Sequence, residues 1–314
     1  MADELKDEIL DFSYKRNMTV KEIASQYYNL GYQATELGKV IKVIRNMKKA
    51  KAKIYFTFTS NMVSGGLRGL FAEFIKRGFA DVIVTTVGSI EEDIIKALKS
   101  KFYVGSFQAD DVKLGKKGIN RIGNIFVGND DYMAFEDFMS PVLKKLYEKK
   151  KVYTPSEFIY ELSTYITDEN SIIYQARKKG VKIYCPALTD GAMGMQIYFF
   201  RQKHSDFVID IAGDFKNIID QTLLYDKTAG IILGGGVSKH HAIISNLMRD
   251  GLDFLVYMTT AMPFSGSLSG ATTSEAKSWG KLKGEGKEAM VYGDVSLTFP
   301  LVAVSLFDEF YDEA

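Results

Sequence analysis

The sequence has 314 residues, of which 46% are hydrophobic and 25% charged, as in an ordinary globular protein. Its 40 Lys and Arg residues nearly balance 39 Asp and Glu residues, which argues against a basic nucleic-acid surface or a polybasic membrane patch. The single cysteine, Cys185, excludes an intrachain disulfide. The acidic start, Met1 to Glu4, lacks the apolar core of a signal peptide, and no apolar run is long enough to span a bilayer, so we predict a cytoplasmic protein.

The first 50 residues predict a helical lead-in. Thr19 and Glu22 have capping-box spacing before a stretch of helical apolar periodicity, and Gly31 lies where this helix would stop. A second helix is predicted from about Gln33 to Lys49.

Beyond the lead-in, short apolar runs alternate with amphipathic stretches. The predicted strands are Ile54 to Phe58, Asp81 to Thr86, Val181 to Pro186, Phe207 to Ile211, Ala229 to Leu233, Phe254 to Thr259 and Glu288 to Tyr292, with a hairpin within 101–128. The predicted helices are 67–76, 89–98, 131–149, 155–166, 171–179, 215–225, one from near 240 and one ending near 311. This alternation predicts a doubly wound, Rossmann-like α/β fold with a mostly parallel sheet, as one domain over 1–314. Ligands of such folds bind at the carboxyl ends of the strands.

Two polar segments follow predicted strands and open predicted helices. Thr59 to Gly66 could hold a diphosphate with its hydroxyls and backbone N–H groups, or form an ordinary strand-to-helix turn. The dinucleotide fingerprint G-x-G-x-x-G is absent. In the second segment, Ser89 and Glu92 have capping-box spacing, which alone could explain both residues.

Other motifs at strand ends also allow two interpretations. Asp190 and Asp294 could bind ribose hydroxyls or cap the next turn. Gly234 to Gly236 permit close backbone approach to a ligand. His240 and His241 follow, and because adjacent helical residues do not share a face, we expect one to face a site and the other the protein body. No metal site is predicted.

The segment 260–281 is the most unusual part of the sequence. A Gly/Ser-rich loop leads to the only tryptophan, Trp279, and then to Lys281. Desolvation beside an indole would favour the neutral amine, and a neutral lysine can attack an imine and carry a Schiff base. A solvated surface lysine is the common alternative.

Taken together, these segments resemble the deoxyhypusine synthase family, in order from about Asp11 to Phe307. The matching blocks are TSNMVSGG, TVGSIEED, SIIYQARKKG, PALTDGAMG, IILGGGVSKHH, TTAMPFSGSLSG, SEAKSWGK and VYGDVSLTFPL. In that family NAD accepts a hydride from spermidine, an enzyme lysine captures the imine, and diaminopropane leaves. The aminobutyl group then passes to a lysine of the translation initiation factor 5A precursor. Family members are homotetramers with active sites shared across a dimer interface.

The resemblance implies roles for individual residues. Lys281 would be the nucleophile, with His240 and Glu92 as further catalytic residues. The amine site would include Trp279, Glu275, Gly266 and Ser267. The NAD contacts would be Thr59, Ser60, Asn61, Ser64, Thr86, Gly88, Glu91, Asp190, Gly234, Thr260, Ala261 and Asp294.

Three positions depart from the family pattern. Met195 stands where the TDG block usually continues to an aspartate, and Ser265 and Leu268 replace two aspartates of a DGSDSG loop. Those carboxylates hold the ammonium groups of the polyamine, and an unpartnered buried ammonium is costly. We hypothesise that the redox centre is retained and the amine pocket has changed. The alternatives are an authentic deoxyhypusine synthase, a relative with another amine donor or a small-molecule acceptor (as in homospermidine synthesis), and a non-catalytic subunit.

Overall fold

A computed structural model describes residues 7–311, so the acidic start at Met1 to Glu4 lies outside the described residues. Its mixed α/β fold has parallel strands alternating with helices, which confirms the predicted fold class. Contacts divide the chain into two compact units. The first comprises residues up to Thr57, Arg77–Asp81 and residues from Ile219 onward, and the second comprises Phe58–Lys76 and Val82–Ile218.

Strands and helices alternate along most of the described chain. The strands are β1 (Lys53–Phe58), β2 (Val82–Thr85), β3 (Tyr103–Val104), β4 (Ile119–Ile122), β5 (Ile125–Gly128), β6 (Val152–Tyr153), β7 (Lys182–Tyr184), β8 (Val208–Ile209), β9 (Thr228–Leu233), β10 (Leu252–Thr259) and β11 (Leu282–Tyr292). The helices are α1 (Val20–Tyr27), α2 (Tyr32–Lys49), α3 (Ser60–Met62), α4 (Arg68–Lys76), α5 (Val87–Ala97), α6 (Asp111–Lys116), α7 (Asn129–Lys149), α8 (Pro155–Ser163), α9 (Ile172–Lys179), α10 (Ala192–Arg201), α11 (Ile211–Leu223), α12 (Gly236–Ile244), α13 (Thr273–Ser278) and α14 (Val295–Glu309). No helix within 7–311 is long and apolar enough to cross a membrane.

In the first unit, four strands lie in the order β11-β10-β9-β1, with every neighbouring pair parallel. Val256 in β10 lies opposite Ile231 in β9 and Ala289 in β11. All six residues of β9 are buried, as expected for a parallel strand covered on both faces. The carboxyl ends of β9 and β10 therefore lie side by side, and the glycine run and the loop before Lys281 start from these ends.

The helical lead-in has the predicted start. Glu22 N donates to Thr19 Oγ1 over 3.2 Å, and Thr19 N donates to Glu22 Oε2 over 2.7 Å, which completes the predicted capping box of α1. In α2, Val40, Ile44 and Met47 are fully buried and supply core contacts on one face of the helix.

The second unit contains three separate strand groups. β2 and β7 pair in parallel, with Val82 opposite Lys182. The predicted hairpin in 101–128 is confirmed, since β4 and β5 pair antiparallel around Gly123 at φ 61°. The predicted strand at 207–211 forms as β8, which pairs in parallel with β6.

Candidate active site

Lys281 and His240 form a close pair in the first unit. The Lys281 Nζ lies 3.0 Å from His240 Nε2 and 5.0 Å from the Trp279 ring centroid. His240 belongs to the second turn of α12, and Lys281 immediately precedes β11. The side-by-side strand ends of β9 and β10 thus bring together residues that are 41 positions apart in the sequence.

Both members of this pair have lowered pKa values. Burial lowers the pKa of the Lys281 amine. Burial also lowers the pKa of His240, and the neighbouring Lys281 charge lowers it further. This direction agrees with the predicted effect of desolvation on Lys281. A neutral amine beside a neutral imidazole has the chemistry of a nucleophile with a proton acceptor.

The two adjacent histidines have different surroundings, as predicted. His240 contacts Lys281, whereas burial lowers the pKa of His241 to about 4, so His241 is a neutral side chain at physiological pH. Within residues 7–311, no group of three or more His, Cys, Asp or Glu side chains is arranged to hold a metal ion.

The glycine run allows close approach of another chain segment. A Cβ at Gly235 would lie 2.6 Å from the Ser269 Cβ, and Gly236 N donates to Ser269 Oγ over 3.0 Å. Gly234 and Gly236 have φ values of 79° and 68°, which favour glycine. The close approach predicted for a ligand is thus made, at Gly235, by the loop that leads to Lys281.

One buried residue in this region was given no role by the sequence. Lys239 is fully buried, and its Nζ donates to Ala271 O over 2.7 Å and to Ser269 O over 3.3 Å. The sequence offered only its position beside His240 as a clue to a role, because its hydrogen-bond partners lie about 30 residues later in the chain.

The predicted amine-site residues of the loop are exposed. Gly266 and Ser267 lie at the loop tip, next to Phe264, whose side chain is 89% exposed. Glu275 forms a capping box with Thr272: Thr272 N donates to Glu275 Oε1, and Glu275 N donates to Thr272 Oγ1, each over 3.1 Å. The cap alone gives Glu275 a structural role.

Glu92 is a buried carboxyl group of the second unit with a raised pKa. Its Oε2 accepts a 2.6 Å hydrogen bond from Ser64 Oγ. Burial raises the pKa of Glu92 to about 7, against the lowering effects of the Ser64 bond and of the Lys96 charge. Such a carboxyl group can exchange a proton near neutral pH.

The capping box predicted for Ser89 and Glu92 was wrong. Helix α5 begins at Val87 with Thr86 as its N-cap, so Ser89 lies inside the first turn. The Thr85 hydroxyl donates to Ser89 Oγ over 2.7 Å. Glu92 does not reach back to the helix start, and its carboxylate accepts the hydrogen bond from Ser64 instead.

Glu91 holds the start of α10. Its Oε1 accepts a 2.6 Å hydrogen bond from Met193 N, and a Cβ at Gly191 would lie 2.5 Å from the same oxygen. Burial raises the pKa of Glu91, and the negative charge of Asp190 adds to that effect. The structure therefore brings two of the predicted cofactor residues, Glu91 and Asp190, into electrostatic contact.

Further cofactor candidates surround the start of α5. Ser60 N donates to Thr86 Oγ1 over 3.2 Å, and a Cβ at Gly88 would lie 2.8 Å from the Ser60 Cβ. Thr59 Oγ1 donates to Asn61 Oδ1 over 2.6 Å. No side chain caps α5, so its first N–H groups can bind an anion.

The cofactor candidates of the first unit have local roles. Asp294 caps α14 by accepting from Ser296 N over 2.7 Å, which is the capping alternative left open by the sequence. Gly234 N donates to Met258 O over 2.8 Å, and Ala261 N donates to Thr259 Oγ1 over 3.0 Å. Thr260 follows directly at the end of β10.

Comparison with known proteins identifies the family. The sequence profile described as deoxyhypusine synthase matches residues 22–306. The probable deoxyhypusine synthase of Thermococcus kodakarensis is 44% identical over 301 residues, covering 90% of this chain and 89% of the relative. That of Schizosaccharomyces pombe is 42% identical over 307 residues, covering 92% and 87%. The chain belongs to the deoxyhypusine synthase family, which is a family of transferase enzymes.

A solved structure supports the same assignment. The crystal structure of an Entamoeba histolytica protein assigned to this family superimposes with a TM-score of 0.70 at 26% identity. The match covers 96% of this chain and 97% of that protein. The shared fold thus extends over both compact units.

Proposed function

We propose that this protein is an NAD-dependent transferase of the deoxyhypusine synthase type, with Lys281 as the nucleophile. The observation that carries the proposal is the 3.0 Å contact between Lys281 Nζ and His240 Nε2, in surroundings that lower the pKa of both groups. A lysine must be neutral to attack carbon, and His240 is placed to accept the proton that Nζ then loses.

The proposed substrate is spermidine, and the proposed acceptor is one lysine of the translation initiation factor 5A precursor. Spermidine loses a hydride from the carbon beside its secondary amine and a proton from nitrogen, which gives an imine. Lys281 Nζ attacks the imine carbon, the bond to the diaminopropane nitrogen breaks, and that nitrogen takes a proton. The acceptor lysine displaces Lys281 from the aminobutyl imine, and return of the hydride to carbon, with a proton to nitrogen, reduces the new C=N bond.

The residues beside α5 fit the proposed cofactor. NAD, when bound, supplies the acceptor and later the donor of the hydride. The close approach of Ser60 to Gly88, the Ser60 and Thr86 hydroxyls and the uncapped N–H groups of α5 suit an anionic diphosphate. Thr59, Asn61, Ser64, Glu91, Asp190, Gly234, Thr260, Ala261 and Asp294 complete the proposed NAD contacts.

Glu92 is the proposed proton-exchanging carboxyl group. Its pKa of about 7 lets it accept a proton from the amine or return one at neutral pH. Trp279, Glu275, Gly266 and Ser267 are the proposed amine-binding residues. By the same family membership we propose a cytoplasmic homotetramer with sites shared across a dimer interface.

A second candidate function is favoured by the three departures from the family pattern. Met195, Ser265 and Leu268 provide no carboxylate for an ammonium group, and Met195 is 51% exposed on α10. A donor amine with fewer charges, or a small-molecule amine acceptor, fits these side chains better than a polyamine does. Lys281, His240 and Glu92 would act identically on such a donor.

The deciding experiment is spermidine cleavage. Purified protein is incubated with NAD and spermidine, with and without the initiation factor 5A precursor, and diaminopropane is quantified. Release of diaminopropane with labelling of the precursor supports the first function. Absence of release with NAD still bound rejects it and supports the second function, provided that another amine yields a borohydride-trapped adduct. Absence of any adduct rejects both and indicates a non-catalytic subunit.

A further inference from the structure

Lys239 is unusual because a fully buried lysine carries a large desolvation cost. Its ammonium group donates to the main-chain carbonyls of Ala271 and Ser269, and it lies 3.9 Å from the Tyr257 ring centroid. Burial lowers the pKa of Lys239 to about 8, against the raising effect of the Glu275 charge. Two carbonyl oxygens and an aromatic face are therefore what hold this cation.

The position of Lys239 in the chain links two segments of the site. It immediately precedes His240 on α12. Its acceptors, Ser269 and Ala271, open the segment that runs through α13 to Lys281. The bond from Gly236 N to Ser269 Oγ reinforces the same junction. One side chain thus ties together the segments that carry the two members of the His240–Lys281 pair.

We propose that Lys239 is a positioning residue: by holding the carbonyls of residues 269 and 271 against α12, it sets the separation between the His240 ring and the Lys281 amine. This inference rests on the proposed function of Lys281. A methionine would fill a similar volume without a buried charge, but it would leave both carbonyls without this donor. An arginine would keep the charge, but its planar guanidinium has a different donor geometry.

The test compares Lys239→Met and Lys239→Arg with Lys277→Met in the full chain. Lys277 is a suitable control because it is a partly exposed lysine on nearby α13, 2.7 Å from Glu288. The first measurement is the rate of borohydride-trapped adduct formation with NAD and spermidine. Lys239→Met is expected to slow it about 10- to 100-fold, since small misplacements of reacting groups have effects of this size. NAD affinity stays within about twofold, and Lys277→Met matches the wild type.

The second measurement does not depend on catalysis. Acylation of Lys281 by an amine-reactive reagent is followed against pH, with the modified peptide quantified by mass spectrometry. In Lys239→Met the midpoint is expected to move up towards that of an ordinary lysine, because release of residues 269–271 exposes the Lys281 amine to water. Lys239→Arg is expected to show an intermediate shift.

The outcomes separate the two proposals. A wild-type adduct rate and an unchanged Lys281 midpoint in folded Lys239→Met overturn the positioning role. If wild-type protein forms no adduct with any amine, the proposed function fails. The pH midpoint of Lys281 acylation then decides the positioning role, and an unchanged midpoint in Lys239→Met overturns it. If Lys239→Met does not fold, Lys239→Arg decides: a slower adduct rate and an intermediate midpoint shift support the positioning role, and wild-type values of both overturn it.

Discussion

The Lys281 amine owes its proposed reactivity to burial. Desolvation lowers its pKa, and its nearest polar neighbour is an imidazole whose pKa is also lowered. Two bases in contact cannot form an ion pair, so His240 supplies no negative charge that would hold Lys281 in its protonated form. The sequence predicted the direction of this effect from Trp279 beside Lys281, but not the 3.0 Å contact with His240.

Lys281→Ala should abolish trapping of an enzyme–amine adduct by borohydride, because alanine has no amine to attack the imine. NAD binding should stay within about twofold of wild type, since the variant removes only the proposed nucleophile. The measurement is reductive trapping with labelled amine, and Lys277→Ala serves as a lysine control on α13. Undiminished trapping in Lys281→Ala would rule out the assignment.

Glu92→Gln should stabilise the ligand-free protein at pH 8. Burial raises the pKa of Glu92 from 4.5 to about 7, so the folded state binds more protons than the unfolded state between these values. Stability from this group is therefore present below pH 4.5 and is lost as the pH rises through 7. Glutamine removes the loss, and we expect a gain of roughly 1 to 3 kcal/mol at pH 8.

Urea denaturation of the wild type and Glu92→Gln at pH 5 and pH 8 measures this gain. The variant should gain stability relative to the wild type as the pH rises. An equal difference at both pH values would contradict the raised pKa. The same variant should form less adduct, which would show that the Glu92 carboxyl group supports catalysis at the expense of stability.

Helix starts were the least predictable elements. The helices that follow β2 and β9 begin at Val87 and Gly236, earlier than the predicted starts at 89 and near 240, and neither has a side-chain cap. Without a capping side chain, the sequence offers no local signal for the first turn. The same reason explains the wrong capping box at Ser89. The predicted box at Thr19 does form, and an unpredicted box forms at Thr272, because these side chains satisfy the first backbone N–H groups.

Substitution of Glu275 separates its cap from its proposed amine binding. Glutamine can complete a capping box, so Glu275→Gln should leave the melting temperature nearly unchanged, whereas Glu275→Ala should cost about 1 kcal/mol. If the carboxylate also binds the amine, Glu275→Gln should raise the amine KM about tenfold. Thermal denaturation and steady-state kinetics of both variants check this. An unchanged KM in Glu275→Gln would leave Glu275 with the cap alone.

Over the whole molecule, the alternation of apolar runs was sufficient to predict the parallel α/β architecture. It could not predict contacts that depend on the packing of distant segments, such as Lys239 with the carbonyl of Ala271. The family profile matches residues 22–306, which include parts of both compact units. A single functional domain over 1–314 stays a prediction.

Restoring the three missing carboxylates tests the changed amine pocket. The combined variant Met195→Asp, Ser265→Asp and Leu268→Asp should lower the KM for spermidine about tenfold or more, because each carboxylate can pair with an ammonium group. Met195 and Ser265 are exposed, so aspartate at these positions should cost little stability. Diaminopropane release across a spermidine titration is the measurement. An unchanged KM would show that these positions do not select the amine.

The loop before Lys281 consists of a tethered part and a free part. Ser269 and Ala271 are fixed by Lys239, whereas Phe264 to Ser267 project into solvent. Substitutions at the tip can therefore accumulate without moving the nucleophile. A protein built this way can acquire a new amine preference through exposed loop residues while its lysine chemistry stays the same. Ser265, in place of the family's aspartate, is a substitution of this kind.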